Sequence, residues 1–306
     1  MNGLMRLVFL KRRSAFIQLH DLLISPFAEF AFMRRALAGT IALAIAGPPL
    51  GVFLILRRMA LTGDAVGHAI LPGAALGFLA AGLSLGPMTI GGLAAGLIVA
   101  VGSGVVARAT VLREDASLAA FYLISLALGV TIVSLRGSNI DLLHVLFGSV
   151  LALDDATLIL LASIASMTLA GLAILYRPLV LETVDSGFLA SVSKSGGLVQ
   201  IAFLALVVLN LVGAFQAIGT LLAVGMMMLP AASARLITAD MTAMIGIAAA
   251  QGMLAGYAGL VISFHAGLPS GPLIILVAGS LYLLALMFGP AGGLLRRVKP
   301  GRHLEA

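Results

Sequence analysis

Asp64 and His68 stand four residues apart in the stretch from Arg57 to Gly73, within a chain that otherwise uses charge sparingly. On a helix this spacing puts both side chains on one face, with Cβ atoms roughly 5–6 Å apart, so a carboxylate oxygen and an imidazole nitrogen can share one cation. A lone ionised carboxylate in hydrocarbon takes up a proton, and one that stays ionised there needs a partner, a cation or a water-filled path. The pair is therefore a candidate ion site. Its competing reading is structural: Thr62 or Asp64 caps a helix at the membrane edge and His68 sits among headgroups. Imidazole suits zinc, iron, nickel and copper, whereas a carboxylate suits manganese and magnesium, so the donor types leave the metal open. Gly63, Gly67, Pro72 and Gly73 flank the pair and are expected to break or bend the helix. Irregular backbone at membrane depth is tolerated where it lines a cavity.

Other residues invite chemistry less strongly. Asp141 and His144, three apart, form a second acid and imidazole pair whose simpler reading is a polar cap in an external loop. His265, ahead of Gly267 and Pro269, reads as an interfacial histidine. Met226, Met227 and Met228 point in three directions round a helix and read as packing, with Pro230 marking a kink. Asp154 and Asp155 precede a long apolar run and are expected to cap it or complement its dipole. The three lysines follow Leu10, Ser193 and Val298, so no Gly-Lys-Ser/Thr phosphate loop exists in this sequence. Any nucleotide that drives this protein is bound by another polypeptide. No nucleophile elbow, HExxH helix or carboxylate dyad within a span is present, which argues against an enzyme.

The elements that must position these groups are helices in a bilayer. Of 306 residues, 61% are hydrophobic and 10% charged, against about 25% charged in soluble domains. Mean hydropathy is +1.17. The 36 glycines suit close helix packing in lipid. The net charge of +6 comes from arginines between apolar runs, a topology signal and not a nucleic-acid surface. With no cysteine, disulfides and thiolate metal sites are excluded. No cleavable leader is expected at the amino end.

An all-α, polytopic membrane protein of eight to ten spans follows. Residues 1–35 read as an amphipathic amino-terminal segment lying on the membrane, 36–295 as the transmembrane domain, and 296–306 as a basic cytoplasmic tail. Runs long enough for a ~30 Å core are placed at 36–56, 60–82, 86–107, 117–135, 156–176, 198–215, 217–234, 242–264 and 271–289. The stretch 139–153 is too short for a secure crossing. Basic loops at Arg108 and Arg113, Arg177 and Lys194, Arg235, and the tail are placed inside, which leaves the amino end outside. The polar interruption 177–197, with Glu182, Asp185, Phe188 and Leu189, is either a short amphipathic helix offered to a soluble partner or a solvated connector.

Four ordered motifs carry a resemblance. LRRMALTGDAVGHAILPGAALGF, VSLRGSNIDLLHVLFGSVLAL, AIGTLLAVGMMMLPAASARL and GLPSGPLIILVAG resemble segments of the permease subunits of ABC importers for zinc, manganese and iron. The likeness covers nearly all of the chain after residue 30. It implies a type II importer-like permease, homodimeric in a bacterial cytoplasmic (inner) membrane. Cytoplasmic ABC ATPase subunits would dock on it, and an extracytoplasmic metal-binding protein would deliver the cargo. It implies that Asp64 and His68 coordinate the passing ion, manganese or zinc with iron as a further candidate, and that no cofactor is permanently bound. Segment 177–197 resembles the family's coupling region but lacks the proline that often follows its aspartate. The rival readings are a siderophore- or vitamin-class permease and a proton-coupled secondary transporter with Asp64 as proton relay.

Overall fold

The computed structural model describes residues 22–82, 84–112, 114–135, 151, 153–184 and 196–295. Eleven α-helices lie among them. A short α1 (Ser25–Glu29) precedes α2 (Ala31–Leu56), and α3 (Thr62–Ala69) is followed at once by α4 (Leu71–Ala81). Then come α5 (Leu85–Ala109), α6 (Glu114–Leu135), α7 (Asp155–Val184), α8 (Gly196–Ile218), α9 (Thr220–Ile237), α10 (Met241–Ala266) and α11 (Ser270–Phe288). Eight spans are long and apolar enough to cross a bilayer, α3 and α4 together making one of them, and α6 adds a shorter apolar stretch, Ala116–Ile132. The protein is a multi-pass membrane protein.

Two helices form the centre. In α2 and α8 the most apolar windows are 72% and 67% buried inside the protein, against 22% in α11, whose sides are left for lipid. Helix α2 packs on α7, α8, α9 and α10, and α8 packs on α5, α7 and α9. Phe53, Phe203, Leu50, Leu54 and Leu211 fill the space between. Because lipid is as apolar as leucine, this bundle is held by close fit and not by exclusion of water. Gly73 on α4 and Gly91 on α5 show the requirement: a Cβ on either would overlap the other's carbonyl. Gly51 on α2 meets the Met227 carbonyl of α9 in the same way.

The span placed at 60–82 is broken into two helices, as the residues around Pro72 lead one to expect, because Pro72 has no N–H to give the carbonyl of His68. Several boundaries differ from the sequence expectation, each for a physical reason. Helix α2 starts at Ala31, not residue 36; 26 residues span about 39 Å, more than the hydrocarbon core, so Arg34 and Arg35 lie on its projecting first turns. Helix α7 runs eight residues past its expected end to Val184, with Pro178 inside it, so 177–184 is helix and not connector. The turn expected near 216 falls at Gly219, whose φ of 85° favours glycine. Of the amphipathic segment, α1 lies against α10: Phe27 stacks on Tyr257 at 5.3 Å, and the Tyr257 hydroxyl donates to the Leu23 carbonyl at 2.9 Å. Residues 1–21, most of 139–153 and the tail 296–306 lie outside the described residues.

Contacts between helix ends assign the two faces. Arg57 at the end of α2 meets Glu182 near the end of α7 and Gln200 near the start of α8. Tyr176 of α7 bonds Thr242 of α10, and the Leu236 carbonyl at the end of α9 accepts from Ala291 and Gly292 beyond α11. Arg57, Arg58, Arg177 and Arg235 share this face, the more basic of the two. Arg34 and Arg35 lie at the opposite end, where their charge is locally satisfied. Arg35 clamps Asp155 of α7 at 2.8 Å, and Arg34 donates to the Ala28 carbonyl at 2.9 Å.

Asp154 caps α7, accepting from the Thr157 N–H at 2.9 Å, as its position suggested. Hydrogen bonds from the Thr157 hydroxyl and N–H hold its carboxyl below the ordinary carboxylate value. A depressed carboxylate stabilises the fold above its unfolded-state pKa, and that contribution is lost as pH falls through the folded-state value. Asp154→Ala is therefore expected to lower the thermal midpoint of purified protein at neutral pH, with the difference from the unaltered chain vanishing in strong acid. Gly91→Ala is expected to destabilise by about 1–3 kcal/mol through overpacking against Gly73. Gly246→Ala, where nothing lies within 4 Å of the added carbon, is expected to be neutral or slightly stabilising in the same thermal scan.

Candidate metal passage site

Helix α3 is only eight residues long and carries both candidate ligands. Its glycines set its back against α9: a Cβ at Gly63 would lie 2.8 Å from the Met227 methyl, and one at Gly67 would lie 3.5 Å from Val224. On its other flanks α3 packs against α5, α6 and α8. The Ser125 hydroxyl of α6 donates to the Ala69 carbonyl at 2.9 Å and fixes the end of α3 where the chain breaks before Pro72. A short helix clamped on several sides holds its side chains in a narrow set of positions.

Asp64 and His68 point the same way. His68 Nε2 lies 3.6 Å from Asp64 Oδ1, too far for a hydrogen bond. Two donors about 2.1 Å from a shared ion, the usual reach of such ligands, stand about 3.4–3.6 Å apart when they subtend about 110–120°. The spacing thus suits a cation between them. The imidazole is 30% exposed and the carboxylate 65%. His68 Nδ1 is buried without a hydrogen-bond partner, and the ring lies 6.5 Å from that of Tyr122 on α6. A carboxylate this exposed on a bilayer-spanning helix cannot face lipid cheaply, since insertion scales charge about 2.5–3.5 kcal/mol for aspartate at mid-depth. It must face water, an ion route or another protein surface.

Among the described residues no third Asp, Glu or His joins the pair. Asp141 and His144 lie outside the described residues, as do Asp185, Phe188 and Leu189 of the segment expected to couple to a partner. Glu182, the fourth of that set, is described. Its side chain is 16% exposed and turns inward, 3.8 Å from Arg57 Nη2. His265 Nδ1 bonds the Val261 carbonyl at 2.9 Å at the outer end of α10, which agrees with an interfacial role. Met226 and Met227 are buried, and Met227 packs against Gly51 and Gly63, as filler does. What sequence reasoning missed is the set around Arg57. Its only hint was polar Gln200 inside the apolar run of α8.

Known proteins match this chain along nearly its whole length. It is 33% identical to the manganese transport system membrane protein MntC of Halalkalibacterium halodurans over 90% of this chain and 94% of the relative. It is 32% identical to the manganese import system permease protein ScaB of Streptococcus parasanguinis over 86% and 92%. Among solved structures, PsaBC from Streptococcus pneumoniae in complex with Fab superposes with a TM-score of 0.79 at 29% identity, covering 92% of this chain and all of that one. The family match runs from residue 29 to residue 289 and so takes in every helix from α2 to α11: the chain belongs to the ABC 3 transport family.

Proposed function

We propose that this chain is the membrane permease of an ATP-driven importer of divalent transition metal ions, manganese foremost, in a bacterial cytoplasmic membrane. The observation that carries the reading is the Asp64 and His68 pair, 3.6 Å apart on a broken, clamped helix and open on one side. The manganese relatives support the choice of cargo. The metal is substrate, not a resident cofactor, and two donors from one chain hold it loosely enough to let it go.

The exposed side of α3 supports a homodimer in which a second copy faces the first. Two such pairs would offer two carboxylates and two imidazoles to one ion, with water completing the shell. Four donors approach the number a structural site uses, yet each protomer can withdraw its half. ATP would be hydrolysed by separate cytoplasmic subunits docked on the face bearing Arg57, Arg177 and Arg235, with segment 185–195 as the contact. An extracytoplasmic protein would deliver the ion at the face bearing Arg35 and Asp155. This chain's own part is non-catalytic: it selects, shields and re-exposes the ion as the two faces open alternately.

The test is uptake of manganese by vesicles holding the permease and its ATPase. Asp64→Asn and His68→Ala are each expected to lower ATP-dependent uptake at least about tenfold while the complex stays assembled, in line with what loss of metal-site groups does elsewhere. Uptake left intact in the double variant would refute the site. Stimulation of hydrolysis by a metal chelate, and not by bare manganese with its delivery protein, would point to the siderophore-class reading. Uptake driven by a proton gradient without ATP would point to a secondary transporter.

A further inference from the structure

Arg57 and Arg58 are adjacent at the carboxyl end of α2, but their surroundings differ. Arg58 is exposed and sits in the left-handed region, with φ 60°, where the chain turns out of α2. An arginine serving only topology reaches for headgroups in this way. The Arg57 side chain is only 8% exposed. Its Nη1 donates to Gln200 Oε1, its Nη2 faces Glu182 Oε1 at 3.8 Å, and its guanidinium carbon lies 5.4 Å from the centroid of the buried Phe203 ring. A planar guanidinium with fixed donors suits such a junction better than an ammonium would.

Glu182 and Gln200 are the roots of one segment. Glu182 lies in the last turn of α7 and Gln200 in the first turns of α8, so between them they bracket residues 185–195. A cavity of about 340 Å³, lined by Arg57, Arg58, Met59, Glu182, Thr183 and Gln200, opens at this junction. Gln200 and Met59 also line a second, much smaller and mainly apolar void of about 10 Å³, with Thr62, Ser103, Val66 and Leu118. Thr62, the first residue of α3, is 1% exposed, and its Oγ1 is buried without a partner. Polar contacts therefore run from Glu182 through Arg57 to Gln200, and the mainly apolar void beyond Gln200 leads to the foot of the helix that carries Asp64 and His68. The turn between Arg57 and α3 is taut: Met59 N–H donates to the Leu54 carbonyl at 2.8 Å and Thr62 N–H to the Met59 carbonyl at 3.1 Å.

We propose that Arg57 is a positioning residue of the transport cycle: by pairing with Glu182 and bonding Gln200 it joins the end of α7 and the start of α8 to the corner between α2 and α3, so that a shift of those two helix ends moves Asp64 and His68. The inference rests on the importer reading above and adds to it the residues that carry the motion. Glu182 acts inward, on Arg57, and not as a surface contact for a soluble partner. Removing one member takes from the other a charge it faces in a site largely withdrawn from water, which loosens the junction without touching the ion ligands.

The experiment uses the whole complex of permease and ATPase in vesicles, with three readouts: manganese binding without nucleotide, ATP hydrolysis, and manganese carried per ATP. Glu182→Gln and Arg57→Gln are expected to keep manganese binding and basal hydrolysis, to lose manganese stimulation of hydrolysis, and to carry at least tenfold less metal per ATP. Arg57→Glu combined with Glu182→Arg is expected to recover a substantial part of that ratio, and Arg58→Gln to leave it unchanged. An unaltered transport ratio in Glu182→Gln overturns the proposal. So does a loss matched by equal loss of manganese binding or of assembled complex, which marks a merely structural role, and so does a reversed pair that recovers nothing. No manganese stimulation in the unaltered complex would overturn the importer reading, and the transport role of Arg57 with it.

Discussion

The cost of placing charge inside a bilayer governs this molecule more than any single contact. Hydrocarbon offers an ionised side chain neither water nor counter-ion, so each such group must find its solvation in protein, in an aqueous route or at the membrane surface. The chain meets that cost in three ways. Arg35 and Asp155 pair at the outer rim, where water still screens them. Arg57 and Glu182 withdraw together into the inner end of the bundle, beside an aromatic ring and an amide. Asp64 and His68 remain open on one side, unlike the other two pairs with their closed surroundings or rim position, and that openness is what the proposed ion site requires.

The backbone around the pair follows from the same economy of space and hydrogen bonds. With no hydrophobic drive between helices in lipid, stability comes from fit, and fit comes from glycine at crossings such as Gly73 on Gly91. The glycines of α3 face α9 and let a short helix be clamped without bulk. Pro72 then ends that helix by withholding a donor, and the Ser125 hydroxyl secures the neighbouring Ala69 carbonyl. A continuous 20-residue helix could have crossed the membrane equally well. The interrupted one gives the candidate ligands Asp64 and His68 a foothold of their own, joined to the basic face through the turn at Arg58.

That arrangement bears on how a permease with no nucleotide site can answer to a partner. The ligands are four residues apart on one rigid turn, so they move together or not at all. Toward that turn, a chain of polar contacts runs among the described residues from Glu182 through Arg57 to Gln200, and Glu182 and Gln200 flank the segment between α7 and α8. Salt-bridge and hydrogen-bond networks with two discrete arrangements carry coupling between sites, and the junction at Arg57 is of that kind.

How much of this was legible in the sequence depends on the range of the interaction. Apolar runs near twenty residues, arginine asymmetry and absent cysteines determined the class and the membrane topology, because lipid acts on every residue of a span alike. The spacing of Asp64 and His68 determined that both would share a face, because an i, i+4 relation is local. The capping role of Asp154 was legible for the same reason. The break in the span at 60–82 was legible as well, because Pro72 withholds a donor from its own helix. Only the tertiary structure decided that α7 continues to Val184 and that Glu182 turns inward to Arg57. Those outcomes depend on which helix lies alongside, and residues 57, 182 and 200 are brought together by packing that no local spacing encodes.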